Sequence, residues 1–199
     1  NGKDIIGFAR LASYVENLRK SQDVLFVDAG DMFQGLPFAN LEKGHSVVPV
    51  ANLEGYDAMV PGNHEFDFGA DNLMEIHKKI NFPMLSANIY KDGKQVFPSY
   101  IVKEIDGVKV GIFGITTPET EFKTHPDNIV GYEFKDMIAN AEKSVKDLKE
   151  KEDVDVVVML AHLGLYEGDY TSDKVAEAVD GIDVIIDGHS HTSLPEGLM

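Results

Sequence analysis

The stretch Gly-Tyr-Asp-Ala-Met-Val-Pro-Gly-Asn-His-Glu-Phe-Asp, residues 55–67, runs from a short apolar segment directly into a polar loop. The pattern of residues 56–60 predicts a strand, and the Pro-Gly pair that follows predicts a turn. This turn places Asn63 and His64 just beyond the end of the strand. Because ligands of open α/β sheets bind beyond the carboxyl ends of strands, the stretch indicates which edge of such a sheet would carry a site.

Three other predicted strands also end at polar loops that contain glycine. These strands are predicted at residues 23–27, 154–160 and 182–186. The loops that follow them read GDMFQG at residues 30–35, AHLG at 161–164 and GHSHT at 188–192. Glycine beside a polar residue is typical of positions where the chain turns sharply or approaches a ligand closely.

Each of the four loops carries an Asp, Asn or His side chain that can bind a metal ion. If the strands are neighbours, the loops meet at one edge and form a mixed nitrogen and oxygen ligand set. Its members are Asp31, Asn63, His162, His189 and His191. Such a set is typical of zinc, manganese or iron and not of calcium.

A single histidine in a loop is ordinarily a surface residue, so one loop alone is weak evidence for a metal site. The GHSHT loop is the strongest of the four, because its two histidines are two residues apart and can face the same rim. The other histidines are assigned structural or solvent roles, since His45 lies in a polar loop, His77 in a predicted helix and His125 before a proline.

Helices alternate with these strands, and this alternation is typical of α/β layers. The helices are predicted at residues 8–20, 46–53, 71–80, 135–151 and 171–179. A further strand is predicted at residues 82–87. Between residues 100–105 and 108–115, the Asp106-Gly107 pair predicts a β-hairpin, so we expect a mixed sheet.

The composition restricts the partners of the protein. The chain has 199 residues, which suits one compact domain or a large part of one, and a net charge of −16. This charge argues against binding to nucleic-acid polymers and acidic membranes, although a small anion can still bind beside metal cations. Cysteine is absent, which excludes disulfides and thiolate ligands, and the longest apolar runs are too short to span a membrane.

The motifs GDMFQG, GYDAMVPGNHEFD, LSANI, AHLG and GHSHT, in this order, resemble the calcineurin-like metallophosphoesterases. More narrowly, they are similar to the catalytic domain of bacterial 5′-nucleotidases, relatives of periplasmic UDP-sugar hydrolase and 2′,3′-cyclic phosphodiesterase. The resemblance extends from about residue 7 to residue 198. It implies a layered α/β/β/α sandwich with mixed sheets, and a partial catalytic domain over residues 1–199.

The resemblance also implies how the candidate ligands share two divalent metal ions, zinc, manganese or similar. Asp31 would bridge both ions. Asn63, His162 and His189 would complete the second metal site, and His191 would bind the first metal.

The resemblance implies that His64 is catalytic and not a metal ligand. With Asn63 it would contact the substrate, and it would act on the phosphate or the departing oxygen. Asp67 would orient its ring, as a carboxylate does in a catalytic triad. The alternative for Asp67 is a helix cap or a turn residue, because Phe68 and Gly69 follow it.

Two parts of the family pattern are missing from the sequence. Family members begin with a strand and an Asp-x-His motif, and no such motif precedes residue 30. The first metal would keep only Asp31 and His191, so the second site is expected to be the better retained one. A sandwich that lacks its first strand is expected to rearrange or to exchange strands in a homo-oligomer. From the resemblance we also expect that residues 1–199 do not include the C-terminal nucleotide-binding domain of the family.

The resemblance implies a 5′-nucleotidase that releases phosphate from nucleoside monophosphates by attack of a metal-bound hydroxide. Its partner would be a small nucleotide or phosphate ester. Relatives that act on cyclic nucleotides, nucleotide sugars or sulfur esters are alternatives, and so is a truncated, non-catalytic surface module. The resemblance also implies an extracellular, cell-wall-associated or periplasmic location.

Overall fold

A computed structural model of the protein describes residues 7–166 and 168–199. The α-helices are α1 Phe8–Arg19, α2 Pro37–Asn40, α3 Val48–Glu54, α4 Ala70–His77, α5 Thr120–Lys123, α6 Met137–Asp147 and α7 Ser172–Ala178. The strands are β1 Val27–Asp28, β2 Ala58–Met59, β3 Ile89–Lys91, β4 Lys94–Gln95, β5 Tyr100–Ile105, β6 Val108–Thr116, β7 Tyr132–Phe134, β8 Val156–His162 and β9 Val184–Asp187. The predicted domain of residues 1–199 also includes residues 1–6 and 167, which lie outside the described ranges.

The strands form three sheets, and the predicted mixed α/β class is confirmed. The first sheet is the parallel pair β1–β2. The second has the order β5-β6-β8-β9, in which β5 and β6 are antiparallel and the other neighbours are parallel. The third has the order β4-β3-β7 and is antiparallel. The predicted hairpin is therefore β5–β6, which turns at Asp106-Gly107.

Three buried clusters separate the layers of the fold. One cluster, which includes Ala58 of β2 and Ile112 of β6, lies between the first and second sheets. Helices α1, α3 and α4 pack a second cluster against the outer side of the first sheet. Helices α6 and α7 pack a third against the outer face of the second sheet. This order confirms the α/β/β/α sandwich, and each fully buried aliphatic side chain contributes roughly 1.5–3 kcal/mol to it.

The predicted strand at residues 82–87 is wrong. Pro83 has no N–H to donate to a ladder, and Met84 forms only a single bridge, to Met59. The backbone there bonds to several partners in turn: Leu85 N–H donates to the Met59 carbonyl, and Ser86 N–H to the Pro98 carbonyl. The segment pairs with Met59 through one bridge and then bonds to Pro98 and Gly114, so it forms no regular strand.

All five predicted helices are confirmed within a few residues. Pro49 lies in the first turn of α3, where a missing N–H costs nothing. The helix predicted at 135–151 is α6, continued by a π-helical segment at Leu148–Glu152. Short 3-10 helices, at His64–Phe66 and Pro126–Ile129, complete the structure. None of the helices in the described ranges combines the length and apolar character needed to cross a membrane.

Candidate metal centre

Three side chains from three strand ends converge on one point. Asp31 follows β1, His162 is the last residue of β8, and His189 follows β9. One donor atom from each lies within 4.8 Å of the other two. Asp31 Oδ2 is 3.1 Å from His162 Nε2, which is 3.2 Å from His189 Nδ1. Within the described residues this is the one group of three or more His and acidic side chains with this spacing.

The two imidazole rings are oriented by acceptors on their other sides. His162 Nδ1 donates to the carbonyl oxygen of Ala29 at 2.5 Å, and His189 Nε2 donates to Glu119 Oε2 at 3.1 Å. A carbonyl or carboxylate oxygen can only accept, so these two nitrogens carry the protons. His162 Nε2 and His189 Nδ1 therefore face Asp31. Metal-binding histidines usually have this arrangement.

The charges within the group affect one another. Burial alone would raise the pKa of the Asp31 carboxyl, but the hydrogen bond and charge of His162, with the His64 N–H, hold it below its ordinary value. Burial alone would lower the pKa of His162, but Asp31 outweighs burial and raises it. Burial and the charge of His162 lower the pKa of His189, against the effect of Glu119. The cluster thus combines an ionised carboxylate with imidazole nitrogens.

Two glycines make room for this cluster. A Cβ atom on Gly62 would lie 2.7 Å from the His162 ring and would also overlap the Asp31 carboxylate. Gly30 has a φ of 92°, and a Cβ there would lie 2.7 Å from the Gly62 nitrogen. Any larger residue at either position would push the loops apart. The glycines of the two motifs are therefore explained by close approach at the site.

Asn63 lies in the chain between Gly62 and His64, both of which adjoin the cluster, and its side-chain oxygen is buried. It is 3% exposed, and its Oδ1 atom has no hydrogen-bond partner among the described residues. Its neighbour His64 donates its backbone N–H to Asp31 Oδ1 at 3.0 Å. A buried oxygen without a partner is costly unless something binds it. The donor set and this oxygen fit a divalent metal ion.

His191 is not part of the three-residue cluster. It is exposed and has a φ of 54°. Its role as a ligand of the first metal stays a prediction.

Glu65, which was not predicted from the sequence as a site residue, connects two of the loops through its side chain. Its buried carboxylate accepts the N–H groups of Gly62, Asp31 and Phe33 at 2.6, 2.7 and 3.1 Å. Burial and the nearby Asp31 raise the pKa of this carboxyl, against the lowering effect of the backbone donors. Its position inside the GNHEFD motif was the available signal.

Asp187 joins the other two loops in the same way. Its Oδ1 atom accepts the N–H groups of Leu163, Gly164 and Gly188 at 2.9, 3.2 and 2.8 Å. The signal in the sequence was an acidic residue directly before GHSHT. Two carboxylates thus fix the four loops in pairs.

His64 and Asp67 form a pair next to the cluster. His64 Nδ1 lies 2.6 Å from Asp67 Oδ2, and the His64 side chain is 44% exposed. Asp67 is itself held, because Thr124 donates to its Oδ1 and Asn128 to its backbone carbonyl. Gly69, not Asp67, is the N-cap of α4, so the Asp67 carboxylate contacts the imidazole and does not cap that helix.

Glu119 and Lys123 border a cavity beside His189. The cavity has a volume of about 260 Å³ and is lined by Glu119, Lys123, Leu163, Gly168, His189 and Ser190. Hydrogen bonds from His189 and Lys123 outweigh burial and lower the pKa of the Glu119 carboxyl. Glu119 follows β6, the parallel neighbour of β8. The sequence alone did not give that strand order, so it gave no signal for Glu119.

Comparison with known proteins agrees with this geometry. Residues 4–193 match the family described as calcineurin-like phosphoesterase. The chain belongs to that family. This calcineurin-like phosphoesterase is 38% identical to the 5′-nucleotidase of Bos taurus over 201 residues, which cover 96% of this chain and 33% of that protein.

Two solved structures from Thermus thermophilus are similar to this calcineurin-like phosphoesterase. The 5′-nucleotidase precursor of that organism has a TM-score of 0.81 and 34% identity, over 95% of this chain and 38% of that chain. Its sulfate thiohydrolase SoxB, in complex with glycerol, has a TM-score of 0.86 and 25% identity, over 96% and 36%. The chain spans about a third of the length of the curated relatives it matches.

Proposed function

We propose that this chain supplies the metal centre of a phosphoester hydrolase that acts on nucleotides, and that the protein is a 5′-nucleotidase. The observation that carries the proposal is the position of Asp31. One of its oxygens contacts the His162 ring, and the other accepts the backbone N–H of His64. The Asp31 carboxylate therefore connects the metal cluster to the backbone of the residue whose side chain is paired with Asp67. The similarity to two 5′-nucleotidases supports the choice of substrate.

Asp31, Asn63, His162 and His189 would hold the metal ion. A divalent ion, when bound there, supplies Lewis-acid stabilisation of the charge on a phosphoryl group. Zinc, manganese or iron suits these donors better than calcium. We also propose that a second divalent ion binds to the protein, with His191 among its ligands.

His64 would transfer the proton. Its Nδ1 is held by Asp67, so Nε2 is the nitrogen left to face a substrate. From there the ring can donate a proton to the departing alkoxide oxygen or stabilise its charge by a hydrogen bond. General acid catalysis of this kind contributes about 10²–10⁴-fold to the rate. Asn63, adjacent in the chain, would contact the phosphate.

A sulfur ester is the second candidate substrate. The observation that favours it is the likeness to the sulfate thiohydrolase, which has a TM-score of 0.86. A sulfate group has nearly the shape of phosphate, so the same donors can bind it. Cyclic nucleotides and nucleotide sugars are further substrates to test. We also propose that the protein acts extracellularly or in the periplasm.

The proposal is tested by phosphate release from the monoesters AMP and p-nitrophenyl phosphate, and by chromatography of the products of UDP-glucose and 2′,3′-cyclic AMP, whose first hydrolysis releases no free phosphate. Each substrate is assayed with the full-length protein in manganese and again with a chelator. We expect AMP turnover in manganese and none with the chelator. A thiosulfate ester is assayed under the same conditions. No turnover of any phosphate ester would reject the phosphoester hydrolase, and turnover of the thiosulfate ester alone would favour the second candidate.

His64 is tested by the substitution His64→Asn. We expect the rate to fall by about 10²–10⁴-fold, because the proton donor is removed, while the metal content stays the same. Asp67→Asn is expected to lower the rate less, and Asp71→Asn is its matched control at an exposed position of α4. Metal content is measured by mass spectrometry. Loss of metal from the His64 variant would show that His64 is a ligand.

A further inference from the structure

The three donor residues of the candidate centre are not held in the same way. His162 is oriented by the Ala29 carbonyl, which belongs to the backbone. His189 is oriented by a side chain, that of Glu119. Rotation of a histidine ring about its second side-chain torsion is only weakly restricted. Without a hydrogen-bond partner the ring can therefore flip, which interchanges the positions of Nδ1 and Nε2. The side chain that holds His189 is therefore available for a test by substitution.

Glu119 is fixed on three sides. Its backbone N–H donates to Thr117 Oγ1 at 3.2 Å, which anchors it at the end of β6. Its Oε2 atom is 3.1 Å from His189 Nε2 and 3.1 Å from Lys123 Nζ. The side chain is 16% exposed. The carboxylate thus has a defined position before any metal binds.

We propose that Glu119 is a positioning residue, which fixes the His189 ring so that its Nδ1 atom faces Asp31 and His162. This inference rests on the proposed metal centre and assigns it a residue that no motif of the sequence contains. Glu119 contacts the nitrogen opposite the one that faces the cluster, so it acts through His189 and does not belong to the donor group itself. Lys123 offsets the charge of the carboxylate and holds its Oε2 atom.

The inference predicts a change in metal affinity. Partners of this type, when removed, typically cost about 10–100-fold in metal affinity. We expect Glu119→Ala to weaken zinc binding by that factor. We expect Glu119→Gln to lose less, because its amide oxygen can still accept from Nε2. Glu177→Ala removes the same charge from an exposed position of α7 and is expected to bind zinc as the wild type does.

The measurement is calorimetric titration of each metal-free protein with zinc chloride. It is repeated in a His189→Ala background, so that a direct effect of Glu119 on folding is present in both backgrounds and cancels. If Glu119 acts through His189, Glu119→Ala has no further effect once His189 is absent. Equal losses in the two backgrounds would overturn the inference, and so would unchanged zinc affinity in Glu119→Ala.

Phosphate release from AMP is measured in parallel with the wild-type protein. Turnover by the wild type with unchanged zinc affinity in Glu119→Ala would reject this inference and leave the proposed function intact. Weakened zinc binding in Glu119→Ala, with no turnover of any substrate by the wild type, would support the inference and reject the proposed function.

Discussion

Glu65 illustrates how a buried carboxylate can support the site by binding the backbone of a proposed ligand, Asp31, and not its side chain. It is 3% exposed, and its carboxylate accepts three backbone N–H groups from the two loops that contain Asp31 and Asn63. A buried carboxylate without partners would be strongly unfavourable, so these donors explain how it is tolerated. Their geometry also sets the distance between the loops.

Removal of this carboxylate is expected to destabilise the protein. Glu65→Ala would leave three buried N–H groups without acceptors, at about 1–3 kcal/mol each before the loops relax. We expect the free energy of unfolding to fall by at least about 2 kcal/mol, measured by urea denaturation of the metal-free protein. The control is Glu75→Ala, which removes an exposed glutamate paired with Lys78. A Glu65 variant as stable as this control would contradict the account.

The candidate site could be predicted only in part at the scale of residues. Asp31, Asn63, His162 and His189 belong to motifs that follow strands, so their types and positions were visible in the sequence. Glu119 could not be predicted, because it belongs to no motif. It lies close to His189 only because β6, which it follows, is the neighbour of β8 in the sheet. The residue pattern alone did not separate His191, which is exposed, from His189, which lies in the cluster; only the family resemblance assigned them to different metal sites.

At the scale of elements, two hairpins carry the same turn signal. Asp106-Gly107 joins β5 to β6, and Asp92-Gly93 joins β3 to β4; all four residues have positive φ, between 48° and 80°. Only the first hairpin was predicted. The strands around Asp92 are two and three residues long, too short for an alternating pattern to be detected. The strands β1 and β2 are likewise only two residues long. They are defined by their pairing with each other, which a local sequence pattern cannot show.

The carboxyl end of α6 is stabilised by two salt bridges of Asp147, and their contribution depends on pH. Asp147 lies 2.7 Å from Lys151 Nζ and 2.9 Å from Lys143 Nζ, and these bonds hold its pKa below the ordinary 3.8. A carboxyl whose pKa is lowered by folding stabilises the fold above its ordinary pKa. This contribution is lost as the pH falls through the lowered value.

We expect Asp147→Asn to lower the free energy of unfolding by roughly 0.3–1 kcal/mol at pH 6, as for exposed pairs one helical turn apart. The difference from wild type is expected to shrink as the pH is lowered to about 3 and below. The free energy of unfolding is measured by urea denaturation across this pH range. The control is Asp169→Asn, because the Asp169 side chain is highly exposed. If the difference in free energy of unfolding between the variant and the wild type stays constant with pH, the salt bridges of Asp147 are not its cause.

At the scale of the whole molecule, the layers of the fold could be predicted from the sequence, but the pairing of strands and the packing of the two sheets could not. Alternation of strands and helices, with one Asp-Gly hairpin, was enough to indicate α/β layers with a mixed sheet, whereas the α/β/β/α sandwich was implied only by the family resemblance. The third sheet, β4-β3-β7, was missed, because it pairs segments about forty residues apart that have no shared pattern. The candidate site forms where the carboxyl ends of β1 and β2 meet those of β8 and β9, so it depends on how the two sheets face each other.

The central claim is that Asp31, His162 and His189, with Asn63 beside them, bind one divalent ion. Anomalous diffraction above and below the zinc absorption edge, from crystals grown with zinc chloride, tests it directly. We expect a peak at about 2.0–2.2 Å from a carboxylate oxygen of Asp31 and from His162 Nε2 and His189 Nδ1. A zinc ion bound elsewhere, with these three side chains uncoordinated, would contradict the account.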